Sequence, residues 1–155
     1  MSKNLAEDKL TELLVEQWKL YVEMTDRISA RRVGTSRLYV SLLTGLLALI
    51  PFILEQGISP NIQKLVFAVI GCLGLALCSV WIVNIRSYKQ LNALKFRVIH
   101  EMEQELPFPC YDREWEVLKG KKDSRSYLRL SKVEQYVPLL LTIPYLILLL
   151  YAVVF

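Results

Sequence analysis

The sequence predicts an all-α, polytopic helical membrane protein with three apolar spans and a helical cytoplasmic part. Three observations predict it. Uninterrupted uncharged stretches occur at Tyr39–Leu54, Leu65–Val83 and Val137–Phe155, near the ~20 apolar residues that cross a bilayer core of roughly 30 Å. The charged segments before and between them keep apolar residues at three- and four-residue steps, the spacing of an amphipathic helix. The chain of 155 residues is 54% hydrophobic with a mean hydropathy of +0.33, more apolar than a soluble domain of this size. The expected division is 1–37, an N-terminal cytoplasmic amphipathic helix; 38–57, the first transmembrane helix; 64–106, the second transmembrane helix continuing into a cytoplasmic stalk; 107–135, a cytoplasmic helix and basic loop; and 136–155, the third transmembrane helix.

In the first segment, Leu10, Leu13, Leu14, Tyr21, Met24 and Ile28 recur at helical spacing, with Trp18 between. Helices that lie in a lipid interface usually have a Lys/Arg-rich polar face. Acids and bases are nearly balanced here, so a partner helix is the better reading. The obvious partner is the stalk, whose own apolar stripe also needs cover. Met1–Lys19 is charged and amphipathic rather than basic and then apolar, so no signal peptide is expected.

The first span carries Ser41, Gly45 and Ala48 on one face, and Pro51 predicts a kink near its outer end. Gly57, Ser59, Pro60 and Asn61 mark a turn. The second span carries Ala68, Cys72 and Ala76, with Gly71, Gly74 and Ser79 close by. Small residues let membrane helices approach closely, so these two stripes are expected to form a tight antiparallel hairpin. No proline or turn cluster interrupts Lys64–Leu106, which reads as one helix of about 64 Å. Leu91, Val98 and Met102 form a stripe on its water-exposed half and are the expected oligomer contact. The prolines of Leu106–Pro107–Phe108–Pro109 end the helix. Asp112–Lys119 reads as a short helix stopped by Gly120. Ser131 and Glu134 match a capping box that opens the last helix, which Pro138 and Pro144 should kink.

The net charge of +4 is distributed asymmetrically. Seven Lys and Arg precede the first span, eleven lie in Ile85–Tyr136, and none lies between Leu38 and Gln63. The positive-inside rule then puts the N-terminus and the central segment in the cytoplasm and the short loop outside. A third full span puts the C-terminus outside; a re-entrant third segment would return it. Lys121, Lys122, Arg125, Arg129 and Lys132 precede the third span, where basic residues attract anionic lipid headgroups. This explains the basic excess better than nucleic acid. Tyr39, Trp81, Tyr136 and Tyr151 fall near span ends, as interfacial aromatic belts do.

Catalysis has little support. No phosphate-binding loop, dinucleotide fingerprint, nucleophile elbow or zinc spacing is present. The expectation is therefore no enzyme, no cofactor and no metal. The three cysteines form no framework, and Cys72 and Cys78 lie in an apolar helix. His100 is the lone histidine, read as a surface or packing residue, with a pH sensor as the sharper alternative. Glu101, Glu103 and Glu105 surround it but cannot all face one site. Acids at a helix C-terminus oppose its dipole, so pairing with bases of another helix or subunit is slightly favoured over solvation. The spans hold no ionisable residue of the kind that couples transport, which argues against a coupled transporter but not against a pore gated by dewetting.

Two long motifs add a resemblance. One is Glu16-Gln17-Trp18-Lys19-Leu20-Tyr21-Val22-Glu23-Met24 with Asp26-Arg27-Ile28-Ser29-Ala30-Arg31-Arg32. The other is Ile85-Arg86-Ser87-Tyr88-Lys89-Gln90-Leu91-Asn92, followed by Lys95-Phe96, Val98-Ile99, Glu101-Met102-Glu103, Leu106-Pro107 and Glu114-Trp115. With Leu130-Ser131-Lys132-Val133-Glu134, nearly the whole chain resembles the bacterial RipA-like family of octameric small integral membrane proteins. The resemblance implies a bacterial inner-membrane protein and a homo-octamer, and no enzyme activity. The chain departs from the family at Gly34-Thr35-Ser36-Arg37-Leu38, where an Asn-containing stretch is expected. The functional expectation is a homo-oligomeric membrane assembly with a cytoplasmic helical collar, acting as scaffold or gated pore. The runner-up is a membrane-anchored adaptor for a cytoplasmic protein.

Overall fold

The structure, a computed structural model, describes residues 2–120 and 130–154. Four helices follow one another: α1 (Ser2–Glu55), α2 (Pro60–Glu103), α3 (Cys110–Gly120) and α4 (Leu130–Val154). There is no strand among the described residues. Helices α1, α2 and α4 are each long and apolar enough to cross a membrane. A third of the most apolar stretch of α2 is buried inside the chain (33%), against 11% for α1 and for α4. Within these stretches α2 is the most buried of the three, and those of α1 and α4 are mostly exposed within the chain.

The amphipathic segment and the first span, expected as separate units, are one helix of 54 residues. Val33–Leu38 holds no proline to break it, and one interior glycine, Gly34, costs only about 1 kcal/mol. After α1 the chain turns at Gly57, whose φ of 62° is left-handed and favours glycine. Helix α2 opens with Pro60 in its first position, and the carbonyl of Ser59 accepts the N–H of Gln63 at 3.0 Å. It runs to Glu103 without interruption, as the uncharged run and the periodic stalk require. Its end tightens before the prolines: Glu105 N–H donates to the Met102 carbonyl and Leu106 N–H to that of Glu103. Helix α3 starts at Cys110, ahead of Asp112. Helix α4 starts at Leu130, so Ser131 lies inside it rather than at its N-cap. Glu134, the other residue of the expected capping box, faces Arg32 of α1, with Oε2 3.4 Å from Nε.

The helices divide into two compact units, one of residues 1–31 and 88–128, the other of residues 32–87 and 129–155. In the second, apolar unit, the core is Leu43, Ile70, Cys78, Trp81, Ile85 and Tyr145. Tyr145 comes from α4, and its hydroxyl donates to the Leu43 carbonyl of α1. A Cβ on Gly74 would collide with the Tyr145 ring, and one on Gly71 would lie 3.1 Å from Leu149 Cβ. The close helix approach therefore joins α2 to α4. Helices α1 and α2 meet through Tyr39 stacked on Trp81, with ring centroids 5.7 Å apart. Asn84 Nδ2 donates to Tyr39 Oη at 2.8 Å. These two aromatics thus pack on each other, Trp81 being buried, whereas Tyr136 and Tyr151 are exposed. The hydroxyls of Thr44, Ser79 and Thr142 donate to carbonyls of their own helices, which satisfies them in a medium without water.

The first, polar unit packs differently. On α1, Leu14, Trp18, Tyr21, Thr25 and Ile28 face inward at steps of four and three, Thr25 most deeply. The Thr25 hydroxyl donates to the Tyr21 carbonyl at 2.9 Å, so its burial leaves no unmet donor. On α2, Ile99 is fully buried. Lys95 Nζ lies 5.1 Å over the Tyr21 ring and 3.6 Å from Met24 Sδ. Tyr111 of α3 closes the unit, with ring centroids 6.4 Å from Trp18 and 5.7 Å from Phe96.

Candidate functional site

In the polar unit, the end of α2 and the start of α3 bring together the richest chemistry. Glu103 is the last residue of α2 and its side chain is wholly buried. Both carboxylate oxygens lie 3.2 Å from the Tyr111 N–H and accept it. That N–H belongs to the first turn of α3, where helix donors have no intrahelical partner. Glu103 therefore caps α3 from outside it, and the positive end of the α3 dipole stabilises its charge. His100, one turn earlier on α2, lies beside it: Nδ1 is 3.9 Å from Glu103 Oε2 and 3.6 Å from Asp112 Oδ1. The three ligand-type atoms of His100, Glu103 and Asp112 all lie within 4.8 Å of one another. Burial pushes the Tyr111 phenol above its ordinary value, and Asp26, Glu114, Glu103 and Cys110 push it the same way. Glu101 and Glu105 are exposed: Glu101, two residues before Glu103 on α2, points to another side of the helix, and Glu105 lies past its end. Sequence reasoning misses the burial of Glu103. The available signal is its i, i+3 spacing from His100, which puts both on one face.

In the apolar unit, Arg32 and Glu134 form a largely buried pair, and Glu134 also lines a groove of about 470 Å³. Val33, Ser36, Arg37, Val40, Trp81 and Val137 line it. Trp81 Nε1 donates to Ser36 Oγ at 3.4 Å, both residues lining the groove.

The predicted packing residues fall mainly on outward faces. Ser41, Gly45, Ala48, Cys72 and Ala76 are exposed within the chain, and Ala68 is half-buried. A Cβ at Gly45 would meet nothing within 4 Å. The expected hairpin contact through these stripes is therefore not the one made inside a chain, where Gly71 and Gly74 supply the close approach instead. Of the predicted oligomer stripe, Leu91 is exposed, while Val98 and Met102 are half-buried. The predicted headgroup residues Lys121, Lys122, Arg125 and Arg129 lie outside the described residues, as does the side chain of Lys132.

Three long apolar helices around an aromatic core, with hydroxyls turned onto their own backbones, define a multi-pass α-helical membrane protein. The chain matches the octameric membrane protein family (8xMP) over residues 15–154 and belongs to it. Membership implies self-association. No curated protein and no solved structure matches the chain.

Proposed function

We propose that the protein is a non-enzymatic homo-oligomeric assembly of the bacterial cytoplasmic membrane. Its polar unit forms a helical collar on the cytoplasmic side, together with the N-terminus, and the assembly acts as scaffold or gated pore. One observation carries this reading. Leu10, Leu13, Leu20 and Met24 of α1, and Leu91 and Leu94 of α2, are exposed on the unit that holds most of the charge. Lipid does not cover such a unit, and burying each side chain is worth roughly 1.5–3 kcal/mol. In an octameric family the natural cover is the neighbouring copy. The exposed small face of Ser41, Gly45 and Ala48 supports close approach of copies within the bilayer by the same logic. The basic segment before α4 supports contact with anionic headgroups.

The test has two arms. Leu91→Asp with Leu94→Asp should abolish the assembly in native mass spectrometry while the protein still inserts. Purified wild-type assembly in liposomes should pass small ions above the background of empty vesicles if it is a pore. A tight bilayer leaves the scaffold. An intact assembly in the double variant would remove the collar from the reading.

An adaptor is the second reading, on one observation: Phe108 and Val117, around and on α3, are also exposed. A cytoplasmic protein that co-purifies in stoichiometric amount, and is lost on Phe108→Ser with Val117→Ser, would favour it.

A further inference from the structure

We propose that His100, Glu103 and Asp112 bind one divalent first-row transition ion per chain, of the Zn2+ or Mn2+ class, pinning the start of α3 to the end of α2. The argument begins with an unmet atom. His100 Nδ1 is buried and makes no hydrogen bond among the described residues. Facing it are two groups that, when ionised, can only accept, Glu103 Oε2 at 3.9 Å and Asp112 Oδ1 at 3.6 Å. A neutral imidazole presenting its Nδ1 lone pair would turn three acceptors toward one point, which requires positive charge there.

An ion held between the three groups is one source of that charge, and the distances leave room for it. A charge-assisted N–H···O bond is about 2.7–2.9 Å long, and neither carboxylate comes that close. A metal ion suits the separations better. Bonds of about 2.0–2.2 Å to nitrogen and oxygen set neighbouring donors roughly 3–4 Å apart. The two separations from His100 Nδ1, 3.9 Å and 3.6 Å, fall in that range, and the two carboxylates, whose ligand atoms lie within 4.8 Å of each other, close onto an ion by a small side-chain shift.

The donor chemistry narrows the ion. One imidazole and two carboxylates are borderline and hard donors, suited to Zn2+ and Mn2+ rather than to a soft ion. Calcium takes about 6–8 oxygen ligands, more than this cluster offers. Two carboxylates balance the charge of a divalent ion, and water completes the coordination. His100 and Glu103 use the i, i+3 spacing by which one helix face presents a carboxylate and an imidazole to a common metal. The Tyr111 N–H holds the Glu103 carboxylate in place, the kind of support that fixes metal ligands. The side chains of His100 and Asp112 are 36% and 45% exposed, which gives the ion a way in. Capping of α3 accounts for Glu103 alone; it accounts for neither the unmet His100 nitrogen nor the approach of Asp112.

The test uses the full-length assembly in detergent, stripped with a chelator and titrated by calorimetry with Zn2+ and, separately, Mn2+. The expected result is saturable binding of one ion per chain, weakened about tenfold or more in both His100→Gln and Asp112→Asn. Glu103→Gln is the less useful variant, since it also weakens the cap. Cys110→Ser should bind as wild type, which separates this site from adventitious thiolate binding. Absence of saturable binding of either ion overturns the proposal. So does binding that survives both His100→Gln and Asp112→Asn, or binding that Cys110→Ser abolishes.

Discussion

In the apolar unit the core is a close fit of apolar and aromatic side chains, with its one ion pair, Arg32–Glu134, outside that core; in the polar unit a buried carboxylate is built into the packing. Gly74 and Gly71 of α2 make room for Tyr145 and Leu149 of α4, and the Tyr145 hydroxyl is satisfied by a single carbonyl. No Asp, Glu, Lys or Arg enters that core among the described residues. In the polar unit the most deeply buried groups include Thr25 and Glu103, each satisfied through hydrogen bonds to the backbone. The difference follows from the surroundings. Lipid offers no hydrophobic driving force between apolar helices, so close fit must replace it. Water supplies that force, which leaves room for a buried carboxylate where it is fully bonded. The same two helices, α1 and α2, thus obey different packing rules along their lengths.

The sharpest way to break the comparison is Gly74→Val. Tyr145 is fully buried and tethered, so its ring cannot swing away. Overfilling a packed core costs about 1–3 kcal/mol, and this collision belongs at the upper end. The thermal midpoint in detergent should fall by several degrees. Tyr145→Ala added to Gly74→Val should recover part of the loss, a non-additivity expected of residues in contact. Gly45→Leu is the control: with open space around it, the chain should melt as wild type, and any loss should appear in the assembly alone. Equal destabilisation by Gly45→Leu and Gly74→Val would mean that shape fit does not separate the two faces.

Next in size is Glu103→Ala. It removes the acceptor of the Tyr111 N–H, and loss of a helix cap costs about 0.5–2 kcal/mol. Hydrogen exchange should speed up in α3 and leave the apolar core unchanged. Uniform exchange across the chain would show that the two units do not respond separately. Tyr145→Phe should cost about 0.5–1.5 kcal/mol, one hydrogen bond, with the ring still in place against Gly74.

The smallest effect concerns pH. The Tyr111 phenol ionises less readily in the folded chain than in the unfolded one, because burial and nearby acids oppose the phenolate. Its stabilising contribution is full below its unfolded pKa of about 10 and is lost as pH rises through the folded value. The melting midpoint of wild type should therefore decline more steeply above about pH 10 than that of Tyr111→Phe. Parallel curves would remove Tyr111 from the account.

Much of the fold is legible in the sequence, for a physical reason. An uncharged run such as Leu65–Val83 has one stable environment, and the periodic residues after it have no breaker, so α2 can be drawn almost to its ends. The partners of its faces are harder. Gly71 and Gly74 are visibly small, but the residue that fills their space is Tyr145, far along the chain. Small residues such as Cys72 and Gly74 look equivalent in a list of letters, yet Cys72 faces outward while Gly74 faces in. Thr25 hides in the inward stripe of α1 because its polarity is cancelled by a bond to its own helix. The cluster at His100 reads as surface in the sequence because Asp112 comes from another helix, beyond a proline-rich break, and only the folded turn brings it near.

The turn after α1 has a bearing on how the protein is made. Between Arg37 and Lys64 the chain carries a single charge, Glu55, and Gly57 reverses it within the short stretch that separates α1 from α2. With the N-terminus cytoplasmic, as proposed, that tip crosses the bilayer with almost no charge exposed to hydrocarbon, so the first two spans are expected to enter the membrane together, as one hairpin leaving the ribosome, rather than one after the other. Ile58→Lys adds a charge at the tip and should delay insertion in a pulse-labelled protease-protection assay; insertion at the wild-type rate would mean that each span enters alone.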